Sequence, residues 1–254
     1  MFNARRFPFH GLLGSALSFA FAAAGFVLLV SGCNPKYYAP NTHNVPLLQQ
    51  KGNGVATFAA GEARAELQGA YAVTKNLAIM LNLASFKPKN DEEGDGGKGQ
   101  LVEAGLGYYR GFSKNFVFET YGLASIGDVE NHFPSSVTNN PTTTGKIESK
   151  LFRIGVQSAV GFTSKYFDVA ASTRLTALNY HDISGSLIFG GEDQVAYLQG
   201  QDKHVLFEPA LTLRGGYKSL KLQIQLGHSF NLSHSDFQQD DGHFTIGVGY
   251  HLRK

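Results

Sequence analysis

The chain has 254 residues, with 30 Gly, 20 Phe and 11 Tyr but no Trp and a single Cys. One cysteine excludes an intrachain disulfide framework and any Cys-based zinc site. Net charge is +2, and removing an N-terminal leader that holds Arg5 and Arg6 leaves 20 bases against 20 acids, so no nucleic-acid partner is expected.

Residues 1–32 have the layout of a secretory signal peptide: a basic start at Arg5 and Arg6, then an apolar run from about Leu12 to Val30. The run is also long enough to span a membrane as an uncleaved anchor. Its ending favours cleavage. Val30-Ser31-Gly32-Cys33 is an aliphatic residue, two small residues and a cysteine, and it resembles the lipobox of bacterial lipoproteins. The resemblance implies cleavage between Gly32 and Cys33, diacylglycerol on the Cys33 thiol and acylation of the new amino terminus. Two or three acyl chains give stable anchoring where one is marginal. Residues 33–53 follow as "CNPKYYAPNTHNVPLLQQKGN", whose Pro, Asn and Gln content predicts a flexible linker.

From Gly54 to the end at Lys254 the sequence alternates apolar and polar residues in segments of about 11. In "LKLQIQLGHSF", Leu220, Leu222, Ile224, Leu226, His228 and Phe230 share one face. In "HFTIGVGYHLR", Phe244, Ile246, Val248, Tyr250 and Leu252 do the same. The expected strands are 54–60, 63–73, 77–86, 100–111, 116–127, 149–162, 167–180, 204–217, 219–230 and 243–253. Short turns at 74–76, 112–115, 163–166 and 218–219 alternate with long polar loops at 87–99, after Asp128, after His181 and at 232–242. The expected fold is therefore all-β: an antiparallel up-and-down transmembrane β-barrel of about ten strands, with eight as the smaller option.

A soluble barrel of the lipocalin kind alternates too, with its apolar face inward. Aromatic placement separates the two. Tyr71, Tyr108, Phe116, Phe162, Phe167, Tyr217 and Tyr250 fall on the apolar face beside the short turns, and Phe152, Phe207, Phe230 and Phe244 fall at the other end of the same face. Two aromatic levels with Leu, Ile, Val, Ala and Gly between them form the girdles of a membrane barrel. Phe207 and Tyr217 are ten residues apart, roughly 25 Å at ~3.3 Å per residue and ~40° tilt. The opposite face carries Arg64, Glu66, Glu103, Glu119, Arg153, Asp168, Arg174, Glu208, Arg214 and Lys221. Charges inside a narrow barrel require partners, so these ten are expected to fill and hold the lumen as one network; a conducting pathway or proton relay is the alternative.

This pattern resembles the small outer-membrane β-barrel superfamily that includes the transmembrane domain of OmpA-type proteins. The resemblance covers residues 54–253 and implies fold and location, with no activity. The chain departs from it in ending "GYHLRK" without a terminal Phe, and in carrying a lipobox. An even strand number puts both barrel ends on the short-turn, periplasmic side. A linker on that side would place the acyl chains in the inner leaflet.

Sequence signals for chemistry are weak. "GHSFNLSHSDF" offers His228, Ser229, Ser233, His234, Ser235 and Asp236 near the long-loop rim, but no His and Ser at a spacing that shares one strand face. Asp91, Glu93, Asp95 and Gly96 echo the start of an EF-hand loop, yet Val102 stands where the bidentate Glu is needed. "NLS" at 231–233 matches a glycosylation sequon, read as chance in a bacterial lipoprotein. No catalytic residue, metal site or cofactor is expected. The expected partners are membrane lipid, as covalent diacylglycerol and as the outer-membrane bilayer, and an undefined protein or glycan at the long loops. A lipid-modifying enzyme, a small channel and a lipid-tethered ligand-binding barrel are the alternatives.

Overall fold

The computed structural model describes residues 34–87, 96–134, 142–217 and 219–252. Ten strands close into an antiparallel barrel: β1 (Gly54–Gly61), β2 (Arg64–Ala72), β3 (Leu77–Phe86), β4 (Gly96–Gly111), β5 (Phe116–Phe133), β6 (Gly145–Thr163), β7 (Phe167–Gly185), β8 (Lys203–Tyr217), β9 (Leu220–His228) and β10 (Gly242–Leu252). Each pairs with its neighbours in sequence, and β10 pairs with β1 from Gly54↔Leu252 to Ala60↔Ile246, which closes the ring. Phe230–Asn231 carries β9 onward beside β8. The leader and Cys33 lie outside the described residues, as do Asp91, Glu93 and Asp95.

The strands are set by alternation, and the alternation has two regimes. Along the lower part of β5 and β6, the outward rungs are apolar, as in Phe116↔Phe162, Phe118↔Val160 and Ile126↔Phe152, except for Thr120↔Ser158, whose hydroxyls bond each other at 3.0 Å. The inward residues there mix buried polar and charged groups, Glu119, Ser125, Arg153 and Gln157, with buried Val117, Leu123 and Ala159. One rung above Ile126↔Phe152 the outward pair is Asp128↔Lys150, and the next is Glu130↔Glu148. Inside at that height are Phe133, Ile147 and Leu151, all buried. The outer face therefore switches from apolar to charged along a continuous strand. From Phe116 to Ile126 is ten residues, about 25 Å at ~3.3 Å rise and ~40° tilt, the height of a bilayer's apolar band.

This switch explains the main departure from the sequence expectation. Residues 128–133 and 145–148, expected as loop, are strand, and β4 and β7 also run past their expected ends. Outside the band, Lys98 pairs with Glu130 at 3.0 Å, Lys146 with Glu130 at 3.3 Å and Lys150 with Asp182 at 2.8 Å. The stretch after His181 also holds more structure than a loop. Ile188–Phe189 and Glu192–Asp193 form a small hairpin. Helix α1 (Gln194–Gly200) follows, its N-terminus capped by the Asp193 side chain, which accepts from the Val195 and Ala196 amides. Leu198 buries its side chain with Tyr37, Tyr180 and Phe237 in an apolar cap over the long-loop end.

Candidate functional site

The lumen is the candidate site, and it is occupied by the chain itself. Residues 35–48, expected as part of a flexible linker, run through the barrel, and most of them are buried. Lys36 donates its backbone N–H to Asn131 Oδ1 at 3.1 Å, and its Nζ donates to the Gln239 carbonyl at 3.1 Å, both at the long-loop rim. The Tyr37 amide donates to Gln238 O, and the Asp240 amide to Tyr38 O, both at 2.9 Å. Thirteen residues on, Gln49 Nε2 reaches Lys114 O in a short turn at 2.9 Å, and Gly52 N bonds to Ala72 O. The strap then turns back into β1.

A peptide inside a barrel has no water to satisfy its backbone, so each polar group needs a partner from the wall. The wall supplies them one strand at a time. Arg64 Nη1 donates to Pro40 O at 2.5 Å. Both oxygens of Glu66 accept from the Thr42 amide, at 3.1 and 3.0 Å, and Gln68 Nε2 donates to Thr42 O at 2.8 Å. Gln225 pairs with the His43 backbone, and Gln157 Nε2 donates to Asn44 O at 2.7 Å. Glu119 accepts from the Leu47 amide at 3.0 Å. Leu47 itself, at φ +50, presses against Gly161, where a Cβ would sit 2.7 Å from its Cδ2. Only glycine leaves that space.

At mid-height the strap joins the charged wall. Asn41 Oδ1 accepts from Arg153 Nη2 and from Arg174 Nη1, both at 2.8 Å. Arg153 also bonds Glu103 at 2.5 Å and Tyr38 Oη at 2.7 Å, and Tyr38 Oη donates to Glu208 at 2.7 Å. Arg174 lies 3.9 Å from Glu103 and 3.6 Å from Glu208. Nearer the short-turn rim, Lys221 pairs with Asp168 at 2.5 Å, and Arg214 Nε donates to Gln223 at 2.7 Å.

All ten charged residues singled out in the sequence thus point inward, but they do not form one self-contained network. Glu66 and one oxygen of Glu119 accept from backbone amides of the strap, and Arg64 divides between Pro40 and Asp240, the latter at 3.8 Å. The lumen is filled by the strap as well as by its own side chains. Beside it, the cleft bounded by Tyr38, Arg64, Phe86 and Leu101 holds about 60 Å³, room for a few waters. Sequence reasoning missed Tyr38, Asn41, Thr42, His43 and Asn44. The signal available was the excess of inward amides, Gln68, Asn82, Gln157 and Gln225, beyond what charge pairing requires.

Of the eleven girdle aromatics, ten are exposed on the outer face and Phe162 is half-buried, edge-on to Phe116 and stacked on Phe167. His228 faces outward with its ring 4.3 Å from Phe230, and His234 lies 5.3 Å from His204 in the loop cap. His43 Nδ1 does meet Ser172 Oγ at 2.8 Å, but inside the filled lumen. Among the described residues no cluster of three His, Cys, Asp or Glu is placed to hold a metal.

No family model and no curated protein matches this sequence. Solved structures with a similar arrangement include the KdgM porin, at 9% identity and a TM-score of 0.35, covering 79% of this chain and 99% of that one. The NanC porin aligns at 8% identity and a TM-score of 0.34, over 80% and 98% of the two chains. LpxR from Salmonella typhimurium aligns at 8% identity and 0.36, over 80% and 100%. The likeness extends to the β-barrel fold and to nothing more specific.

Proposed function

We propose that this chain is a lipid-anchored outer-membrane β-barrel, non-catalytic, that presents its long-loop rim as a structural or interaction surface. The observation that carries the reading is the switch of the outer face from apolar to charged along β5 and β6. A wall whose outer face is largely apolar over about 25 Å and then turns charged, with buried charges such as Glu119 and Arg153 inside, matches a bilayer and its edge. The lipid anchor rests on the resemblance of Val30-Ser31-Gly32-Cys33 to a lipobox. Transport through the lumen is disfavoured by the strap, whose backbone is tied to β2, β5, β6 and β9. Acyl-transfer chemistry is disfavoured because the His43–Ser172 contact faces no bilayer and no open cavity.

Fractionation of the full-length protein and of Cys33→Ala, each followed by an alkaline carbonate wash, tests this reading. Retention of both in the outer membrane is the expected result, with the barrel embedded and the lipid a second tether. Release of Cys33→Ala as a soluble folded protein would overturn the embedded barrel.

A further inference from the structure

The direction of the strap fixes where the chain before it goes. The barrel's own ends, Gly54 and Leu252, pair at the short-turn rim, as an even strand number requires. From Gly54 the chain runs backwards through Gly52, tied to Ala72, and Gln49, tied to Lys114, then up the lumen past Leu47, Asn44 and Thr42. It reaches the opposite rim at Lys36, between Asn131 and Gln239. Thirteen residue steps from Lys36 to Gln49 at ~3.3 Å give about 43 Å. That matches a wall whose strands are up to 19 residues long, about 48 Å high at ~40° tilt. The strap is extended and crosses once.

We propose that the segment ahead of Lys36 leaves the barrel through the long-loop rim and is displayed on the outer face of the membrane. This rests on the outer-membrane reading, in which long loops face out and short turns face the periplasm. Cys33 is three peptide units from Lys36, at most about 11 Å along the chain. An acyl group on Cys33 is then carried at the cell surface, which reverses the inner-leaflet placement expected from a periplasmic linker. The same geometry shields the anchor from the periplasm. The cap that closes this rim, Tyr37 with Tyr197 at 6.0 Å and with Phe237 at 6.1 Å, holds the emerging chain beside α1 and the last long loop.

The test uses the full-length chain with a short epitope inserted between Asn34 and Pro35. Glu192→Cys in the long-loop hairpin and Lys75→Cys in a short turn, each in a Cys33→Ala background, mark the two sides with a membrane-impermeant maleimide. Folding is read from heat-modifiable gel migration. The expected result is antibody binding to intact cells, with Glu192→Cys labelled and Lys75→Cys labelled only after permeabilisation. Epitope access only after permeabilisation, with Glu192→Cys still labelled in intact cells, overturns the route. Labelling of Lys75→Cys alone in intact cells overturns the orientation. Equal labelling of both in a soluble fraction overturns the embedded barrel instead. If the insertion prevents folding, Lys36→Cys in the Cys33→Ala background carries the same reading: labelling in intact cells supports the route, and labelling confined to permeabilised cells overturns it. Palmitate incorporation, compared between the parent and Cys33→Ala, reports the lipid separately. A surface epitope without incorporation leaves the route standing and removes only the anchor.

Discussion

Gln225 on β9 bonds the backbone of His43 in both directions: its Oε1 accepts the His43 amide at 2.6 Å and its Nε2 donates to the His43 carbonyl at 2.9 Å. The side chain acts as one further strand would, satisfying two buried backbone groups at once. Gln225→Leu leaves both without partners, at about 1–3 kcal/mol each. We expect a lower unfolding midpoint in urea for the detergent-folded protein, corresponding to a loss of about 2–6 kcal/mol in total. An unchanged midpoint would show that this contact does not hold the strap.

The Arg153–Glu103 pair is buried on both sides, with 1% of each side chain exposed. Removing Arg153 leaves Glu103 with only the more distant Arg174 guanidinium, at 3.9 Å, so Arg153→Met is expected to cost up to about 3–5 kcal/mol. Arg153→Met combined with Glu103→Leu is expected to cost less than Arg153→Met alone, because no under-paired carboxylate then remains and Arg174 keeps Glu208 at 3.6 Å. Denaturant midpoints of the two variants give the comparison, and a double variant no better than the single one would contradict it.

Leu106, 63% exposed, faces outward opposite Gly122, near the middle of the band. Gln100 faces outward opposite Asp128, one rung above its edge. Arginine at the first is expected to cost about 2–4 kcal/mol and at the second about 0–1. Folding equilibria in lipid vesicles test this. Equal costs would place the bilayer elsewhere on the barrel.

Deleting residues 35–50 removes the strap and leaves its partners, Glu66, Glu119 and Gln225 among them, facing an open lumen. The intact protein is expected to be silent in a planar bilayer and the deleted form to show discrete conductance steps. Gly161→Leu, which drives a side chain into the place of Leu47, is a milder route to the same end if the deletion does not fold. Conductance by the intact protein would mean the strap leaves the lumen.

Most of the barrel was legible because a bilayer writes a period-2 signal with a fixed apolar side. Strands β1, β3, β9 and β10 fall within about two residues of their expected ends. The signal fails where the environment changes sign. Asp128, Glu130 and His132 face outward into water while Phe133 and Ile147 turn inward, so a strand reads as polar loop. It fails for α1 because seven residues are too few for a helical period to show. For the strap it could not have succeeded: Asn41, Thr42, His43 and Asn44 suit a polar lumen and bulk water equally well. Composition reports polarity and is silent on enclosure.

The ring closes between β1 and β10, strands about 190 residues apart in sequence, and the strap enters β1 at its first residue. Threading sixteen residues with committed backbone partners into a finished ring would require stripping water from both sides in a confined bore. Curling an open sheet around a strap already laid along its inner face requires no such passage. The seam from Gly54↔Leu252 to Ala60↔Ile246 is then the last pairing to zip. Such a long loop closure is slow to form. Arg153 and Arg174 take Tyr38 and Asn41 of the strap as partners, and the strap acts as a mandrel: the barrel is wound on it, and once wound cannot release it without unzipping.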